Sequence, residues 1–162
     1  MKRITERLAQ IRGTIADNRI TIVGITKGQA VEKIREAVDA GLTDFGNNYV
    51  QEGQVLRDAL GPVGRWHFVG HIQSRKVKQL TVYDCVQSLD RIEIVESLDK
   101  RLKDAGRNID GLIEVNLGDE VSKSGISPND LEEFVRSAAA FSNVRIRGLL
   151  VLPPPLFPVE SR

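Results

Sequence analysis

The feature that most constrains the fold is a regular alternation between short apolar runs and segments with helical spacing. The run at 20–25 is rich in β-branched residues and is typical of a strand. The segment at 31–40 repeats apolar residues three and four apart and ends before Gly41, a common helix C-cap residue. The pattern predicts a leading helix that carries Ile4, Leu8, Ile11 and Ile15, strands at 20–25, 43–46, 66–70, 84–88, 111–117 and 144–152, and helices at 31–40, 49–60, 74–80, 91–105 and 128–141.

Strands that are separated by helical segments of this length pair in parallel through right-handed crossovers. Neither the glycine-rich dinucleotide fingerprint nor the phosphate-loop motif follows a strand, so the common nucleotide-binding open sheets have no support. We therefore expect an α/β fold, an incomplete (β/α)8 TIM-type barrel of about six parallel strands with a leading N-terminal helix. A complete barrel has eight such units and typically about 250 residues.

The last ten residues differ in character from the rest of the chain. Prolines stand at positions 153, 154, 155 and 158, a density that no helix accommodates. We predict one partial barrel domain over residues 1–162, with the strands and helices in 1–152 and a divergent proline-rich tail in 153–162. A parallel sheet with two open edges would favour association.

The composition of the chain limits the kinds of binding partner and the cellular compartment that we expect. The 23 basic and 22 acidic residues give a net charge of +1, so no large field favours nucleic acid or an anionic membrane. The N-terminus lacks the apolar core of a secretory signal, and no stretch approaches the roughly 20 apolar residues of a membrane span. The single cysteine, Cys85, excludes an internal disulfide and favours a cytoplasmic location.

Polar residues follow every predicted strand except the last, where a barrel would gather them at one mouth. They are Thr26 and Lys27, Asn47 to Tyr49, His71 and Gln73, Ser88 and Asp90, and Asn116 with the turn at 122–125. Lys27 is the strongest candidate because a neutral lysine amine attacks carbonyl carbons, and partial burial favours the neutral form. The alternative is an ordinary solvated lysine at the end of a strand.

The two histidines, His67 and His71, do not predict a metal site. They are four residues apart on a strand and its exit loop, whereas the zinc motif needs one helix face. We expect His67 to be buried and hydrogen-bonded. The turn at 122–125 either binds an anion or caps the next helix.

Several segments, in a fixed order, carry a resemblance to a known family. They are Ile25-Thr26-Lys27, the octapeptide FGNNYVQE at 45–52, the stretch WHFVGHIQSRK at 66–76, Val115-Asn116 with the SKSGI segment at 122–126, and Arg147-Gly148-Leu149. Together they closely resemble the pyridoxal-phosphate homeostasis protein family, whose members are relatives of the alanine racemase N-terminal barrel. The resemblance extends from the first helix to about Pro153.

The resemblance implies pyridoxal 5'-phosphate as the cofactor, held as an imine on Lys27, with Asn48 and Tyr49 as further cofactor contacts. Asn48 could instead cap the helix that follows it, and Tyr49 could simply pack. The implied role is cofactor binding and homeostasis, with no catalytic residue assigned. The resemblance also implies transient delivery of the cofactor to recipient enzymes and a monomeric state in intact members of the family.

The chain also departs from the family. Its members usually carry glutamate where Asn47 stands and often asparagine where Arg75 stands, and the seventh and eighth strands that cradle the cofactor phosphate have no counterpart after Pro155. Two alternatives therefore stay open. One is a pyridoxal-phosphate-dependent racemase-like enzyme, which would need a second acid/base on the opposite face of the ring. The other is a non-functional truncated fragment.

Overall fold

A computed structural model describes residues 4–15, 17, 19–118 and 124–152. The chain divides into two compact units, Met1–Phe68 and Val69–Arg162. Each unit contributes three β-strands within the described ranges. The predicted tail at 153–162 lies outside the described residues.

The first unit alternates helices and strands as the sequence pattern predicts. Strand β1 pairs in parallel with β2, and β2 pairs in parallel with β3. The elements are α1 (Ile4–Ile15), β1 (Val23–Ile25), α2 (Val31–Asp39), β2 (Asp44–Asn47), α3 (Val50–Leu60) and β3 (Arg65–Phe68).

The core of the first unit forms where strand residues in register meet the apolar face of a helix. Phe45 of β2 stands opposite Trp66 of β3, and their buried rings lie 5.5 Å apart between centroids. Helix α2 buries Ile34 and Ala37, which are three residues apart and so share one face. Burying each large side chain stabilises the fold by roughly 1.5–3 kcal/mol. This packing holds the strands in place, and with them the strand ends that carry the site residues.

The second unit begins with a 3₁₀ helix and continues in the same strand-and-helix order. Strand β5 lies between β4 and β6 and pairs in parallel with both. The elements are the first 3₁₀ helix (Ser74–Val82), β4 (Cys85–Leu89), α4 (Ile92–Asp104), β5 (Ile109–Val115), a short 3₁₀ helix (Pro128–Asp130), α5 (Leu131–Ala138) and β6 (Val144–Val151).

Helix α4 and strand β5 supply most of the core of the second unit. Ile94, Leu98 and Leu102 of α4 are buried at four-residue spacing, as an amphipathic helix requires. Along β5 every second residue is buried, beginning with Ile109, so one face of the strand is fully covered while the other is half-covered. The helix predicted at 91–105 and the strand predicted at 111–117 are thus confirmed, with shifted ends.

The helix expected at 74–80 is present as a 3₁₀ helix at Ser74–Val82. Its buried residues, Val77 and Leu80, are three apart, and the buried Tyr83 follows after another three. A spacing of exactly three matches the three residues per turn of a 3₁₀ helix better than the 3.6 of an α-helix. Within the described ranges, no helix is long and apolar enough to span a membrane.

Candidate functional site

Lys27 lies immediately beyond the carboxyl end of β1, where the backbone is held against β2. The preceding residue, Thr26, is only 3% exposed. Its backbone N–H donates to the carbonyl oxygen of Gly46 at 2.8 Å, and its hydroxyl donates to the same oxygen at 3.2 Å. Because Thr26 is buried and doubly bonded, the exposed Lys27 projects from a fixed backbone point.

The turn that carries Lys27 is fixed on its other side by Gly28. Gly28 has a φ of 67°, in the left-handed region that favours glycine, and an added Cβ would meet nothing within 4 Å. Its N–H donates to Oε1 of Glu52 at 2.6 Å, and the N–H of Gln29 donates to the carbonyl of Thr26 at 3.0 Å. The family resemblance included Glu52 within a motif, but the sequence reasoning gave that residue no role.

The segment after β2 places the other two predicted cofactor residues. Asn48 is half-buried and precedes the helix by two residues, while Tyr49 is the N-cap residue of α3 and makes no side-chain capping bond. The alternative in which Asn48 caps the helix is therefore wrong. Tyr49 is 64% exposed, so packing does not account for its ring. Its role and that of Asn48 stay predictions.

Asn47 is fully buried at the end of β2. A buried carboxylate would lose its hydration, whereas a neutral amide avoids most of that cost. A neutral side chain therefore suits this buried position better than the glutamate that the family resemblance implies.

His67 is buried and hydrogen-bonded, as predicted. Its Nε2 lies 3.0 Å from Oδ1 of Asp44, and the two residues are 5% and 7% exposed. The hydroxyl of Thr43 donates to the other carboxylate oxygen of Asp44 at 2.7 Å. The pair joins β2 to β3 inside the first unit and thus has a structural role. In the described part of the chain, no group of three His, Cys, Asp or Glu residues is arranged to hold a metal ion.

A second polar cluster lies in the second unit, at the carboxyl ends of its strands. Nδ1 of His71 is 3.0 Å from the hydroxyl oxygen of Ser124 and 4.0 Å from Oδ2 of Asp90. A nucleophilic triad needs the serine and the carboxylate on opposite ring nitrogens, but both contact the same nitrogen here. Asp90 also pairs with the guanidinium of Arg91 at 3.0 Å. The cluster is therefore not a triad.

Glu114 of β5 lies beside this cluster. Burial raises the pKa of its carboxyl above the usual range, the negative charge of Asp90 adds to the increase, and His71 opposes it. Glu114 lines a 190 Å³ cavity with Asn116 and Ser124. Residues 122 and 123 of the predicted anion-binding turn lie outside the described residues, so that hypothesis stays a prediction.

These observations define a class of protein: an α/β domain of parallel strands that presents an exposed lysine just beyond its first strand. The family model described as "Alanine racemase, N-terminal domain" matches residues 1–153. The pyridoxal phosphate homeostasis protein of Escherichia coli strain K12 is 35% identical over 169 aligned residues, which cover 96% of this chain and 72% of that protein. Its counterpart from Pasteurella multocida is 34% identical, covering 94% and 71%.

Among solved structures, PipY from Synechococcus elongatus with bound PLP matches with a TM-score of 0.87 at 30% identity, covering 98% of this chain and 74% of that one. The likeness confirms the predicted fold class, an α/β fold with six parallel strands of a TIM-type barrel. The chain belongs to the pyridoxal phosphate homeostasis protein family, which shares the alanine racemase N-terminal domain.

Proposed function

We propose that this chain binds pyridoxal 5'-phosphate through Lys27 and acts in the homeostasis of that cofactor. The observation that carries the proposal is an exposed lysine whose flanking residues, Thr26 and Gly28, are both held by hydrogen bonds. The names of the relatives and the PLP-bound state of PipY support the same cofactor. We also infer that residues 1–162 act as a single cofactor-binding domain.

The residues of the first unit fit the cofactor chemically. The cofactor supplies an aldehyde, and a neutral primary amine is the side chain that joins to it reversibly. Nζ of Lys27 would form a C=N bond with the aldehyde carbon, and the aldehyde oxygen would leave as water with the two amine hydrogens. No oxidant or reductant is required.

Asn48 and Tyr49 are the further contacts that we propose. Both lie at the entrance of α3, whose residue Glu52 bonds to the turn that carries Lys27. The half-buried amide of Asn48 can orient a polar ring substituent, and the exposed Tyr49 offers an aromatic surface and a hydroxyl.

The test of the proposal is the covalent link itself. Purified protein mixed with pyridoxal 5'-phosphate should develop an imine absorbance band, and borohydride reduction should fix the cofactor on Lys27 in a peptide map. The Lys27→Ala variant should lose the band. Lys33→Ala is the matched control because Lys33 is also an exposed lysine, only six residues further along, whose amine contacts Oε1 of Gln29. An unchanged band in Lys27→Ala would refute the assignment.

The proposal extends to partners and location. We infer a cytoplasmic protein, in keeping with the buried free thiol of Cys85, and transient transfer of the cofactor to recipient enzymes. We also infer a monomer that can associate through its sheet edges. Sedimentation at several concentrations would detect such association. Racemisation of added amino acids well above the rate with free cofactor would instead support the enzyme alternative.

A further inference from the structure

A carboxylate from helix α3 reaches the turn that carries the proposed cofactor lysine. Glu52 is the third residue of α3, and its Oε1 accepts a hydrogen bond from the N–H of Gly28 at 2.6 Å. The two residues are 24 positions apart in sequence, so this bond ties α3 to the loop that follows β1. A backbone N–H that donates to an ionised acceptor forms one of the stronger classes of hydrogen bond.

The other contacts of residues 27–29 are local in sequence. Lys27, Gly28 and Gln29 are all exposed, so the side chains gain little from packing. The bond between Gln29 N–H and the Thr26 carbonyl closes the turn locally. The Glu52 contact supplies a second, non-local point of attachment directly next to Lys27.

Glutamate at this helix position usually serves the helix itself. In a capping box, the third residue reaches back to the N–H of its own N-cap residue. Here Oε1 of Glu52 accepts from the N–H of Gly28, which lies in another loop. The carboxylate thus acts between elements and not only within α3.

We propose that Glu52 is a positioning residue for Lys27, which holds the turn at Gly28 so that the lysine amine meets the cofactor aldehyde in a restricted set of orientations. The proposal rests on the proposed function, because it assigns a role to Glu52 in the same imine-forming reaction. Orientation of the reacting groups accelerates such a reaction by removing rotational freedom before the bond forms.

The negative charge of Glu52 is the alternative explanation that the experiment must separate from position. A negative charge in the neighbourhood of an amine favours the ammonium form, which cannot attack the aldehyde. If charge dominated, removing it would accelerate imine formation, whereas if position dominates, removing the acceptor slows it. Glu52→Gln separates the two effects, because its amide oxygen can still accept the Gly28 hydrogen bond although the charge is gone.

The experiment compares wild type, Glu52→Ala, Glu52→Gln and Glu93→Ala. Glu93 is the matched control because it is an exposed glutamate in the first turn of α4, so its removal costs the same favourable interaction with a helix terminus. Two quantities are measured: amide hydrogen exchange at Gly28 in the cofactor-free protein, and the rate of imine formation with pyridoxal 5'-phosphate. Thermal melting of each variant confirms that the measurements are made on folded protein.

In Glu52→Ala we expect Gly28 to exchange about tenfold faster and the imine to form about three- to tenfold more slowly, with the full band still reached at saturating cofactor. Glu52→Gln should restore most of the slow exchange at Gly28 and most of the imine rate, and Glu93→Ala should match wild type.

Faster exchange at Gly28 with an unchanged imine rate in Glu52→Ala would overturn the inference and leave the proposed function intact. Faster imine formation in Glu52→Gln would also overturn it, in favour of the charge effect. Wild type without a borohydride-stable adduct on Lys27 would refute both proposals.

Discussion

Replacing Gly28 with alanine isolates the conformational requirement of the turn that carries Lys27. Gly28 has a φ of 67°, and an added Cβ would meet nothing within 4 Å, so the substitution introduces no clash. The left-handed conformation costs an L-residue about 1–2 kcal/mol. Alanine also reduces the entropy of the unfolded chain, which returns about 0.4–1 kcal/mol. The net expectation is a destabilisation of about 1 kcal/mol, measured by urea unfolding.

Two further glycines provide controls for this value. Gly13 lies in α1, and its added Cβ is equally unobstructed, so Gly13→Ala should stabilise the protein by about 0.5–1 kcal/mol. Gly106 has a φ of 63° after α4 and also has an open Cβ position, so Gly106→Ala should cost as much as Gly28→Ala. The same chemical change thus has opposite signs at positions that differ in backbone conformation.

The functional consequence separates Gly28 from Gly106. Strain at Gly28 shifts the turn next to Lys27, so imine formation should slow in Gly28→Ala but not in Gly106→Ala. Gly28→Asn should be milder than Gly28→Ala, because asparagine visits the left-handed region more readily. Stabilisation by Gly28→Ala would refute the conformational argument, and an equal loss of imine rate in Gly106→Ala would refute the link to Lys27.

Two other predictions concern buried or half-buried polar groups. His67→Ala should destabilise the protein by about 3 kcal/mol in urea unfolding, because it leaves the buried Asp44 carboxylate without its ring partner. His71→Ala, at an exposed site, should change the free energy of unfolding by less than about 0.5 kcal/mol. Comparable losses in the two variants would contradict the structural role of the His67–Asp44 pair. For Glu114, the raised pKa means that the folded state binds its proton more tightly, so its stabilising contribution is full at low pH and is lost as pH rises through the folded pKa. Glu114→Gln should therefore gain stability relative to wild type as the pH rises from about 4 to about 8, a range that begins near the ordinary pKa of glutamate. A difference in unfolding free energy between variant and wild type that stays constant with pH would refute the raised pKa of Glu114.

The sequence predicts those features that depend on local pattern. Lys27 stands directly after a short run of β-branched residues, so its place beyond a strand follows from the local sequence alone. His67 lies between Trp66 and Phe68, and all three are buried, as in a parallel strand that is covered on both faces. In both cases, the residue and its neighbours in sequence contain the information.

Features that depend on register or on approach between distant segments could not be predicted in this way. Asp44 becomes the partner of His67 only because β2 and β3 pair with Gly46 opposite His67. Glu52 reaches Gly28 only because α3 enters beside the turn after β1. A glutamate three residues into a helix gave no signal for that contact, since the same position is normally explained by capping.

The hydrogen bonds of the first unit fix the strand ends and the turn around Lys27. Near Lys27, the hydroxyl of Thr26 is engaged by the carbonyl of Gly46, and Oε1 of Glu52 is engaged by Gly28. Between the next two strands, His67 and Asp44 engage each other. Each of these contacts fixes a strand end or a turn. Thr26 and Glu52 therefore hold the backbone on either side of Lys27, as the proposed binding of an aldehyde cofactor by that amine requires.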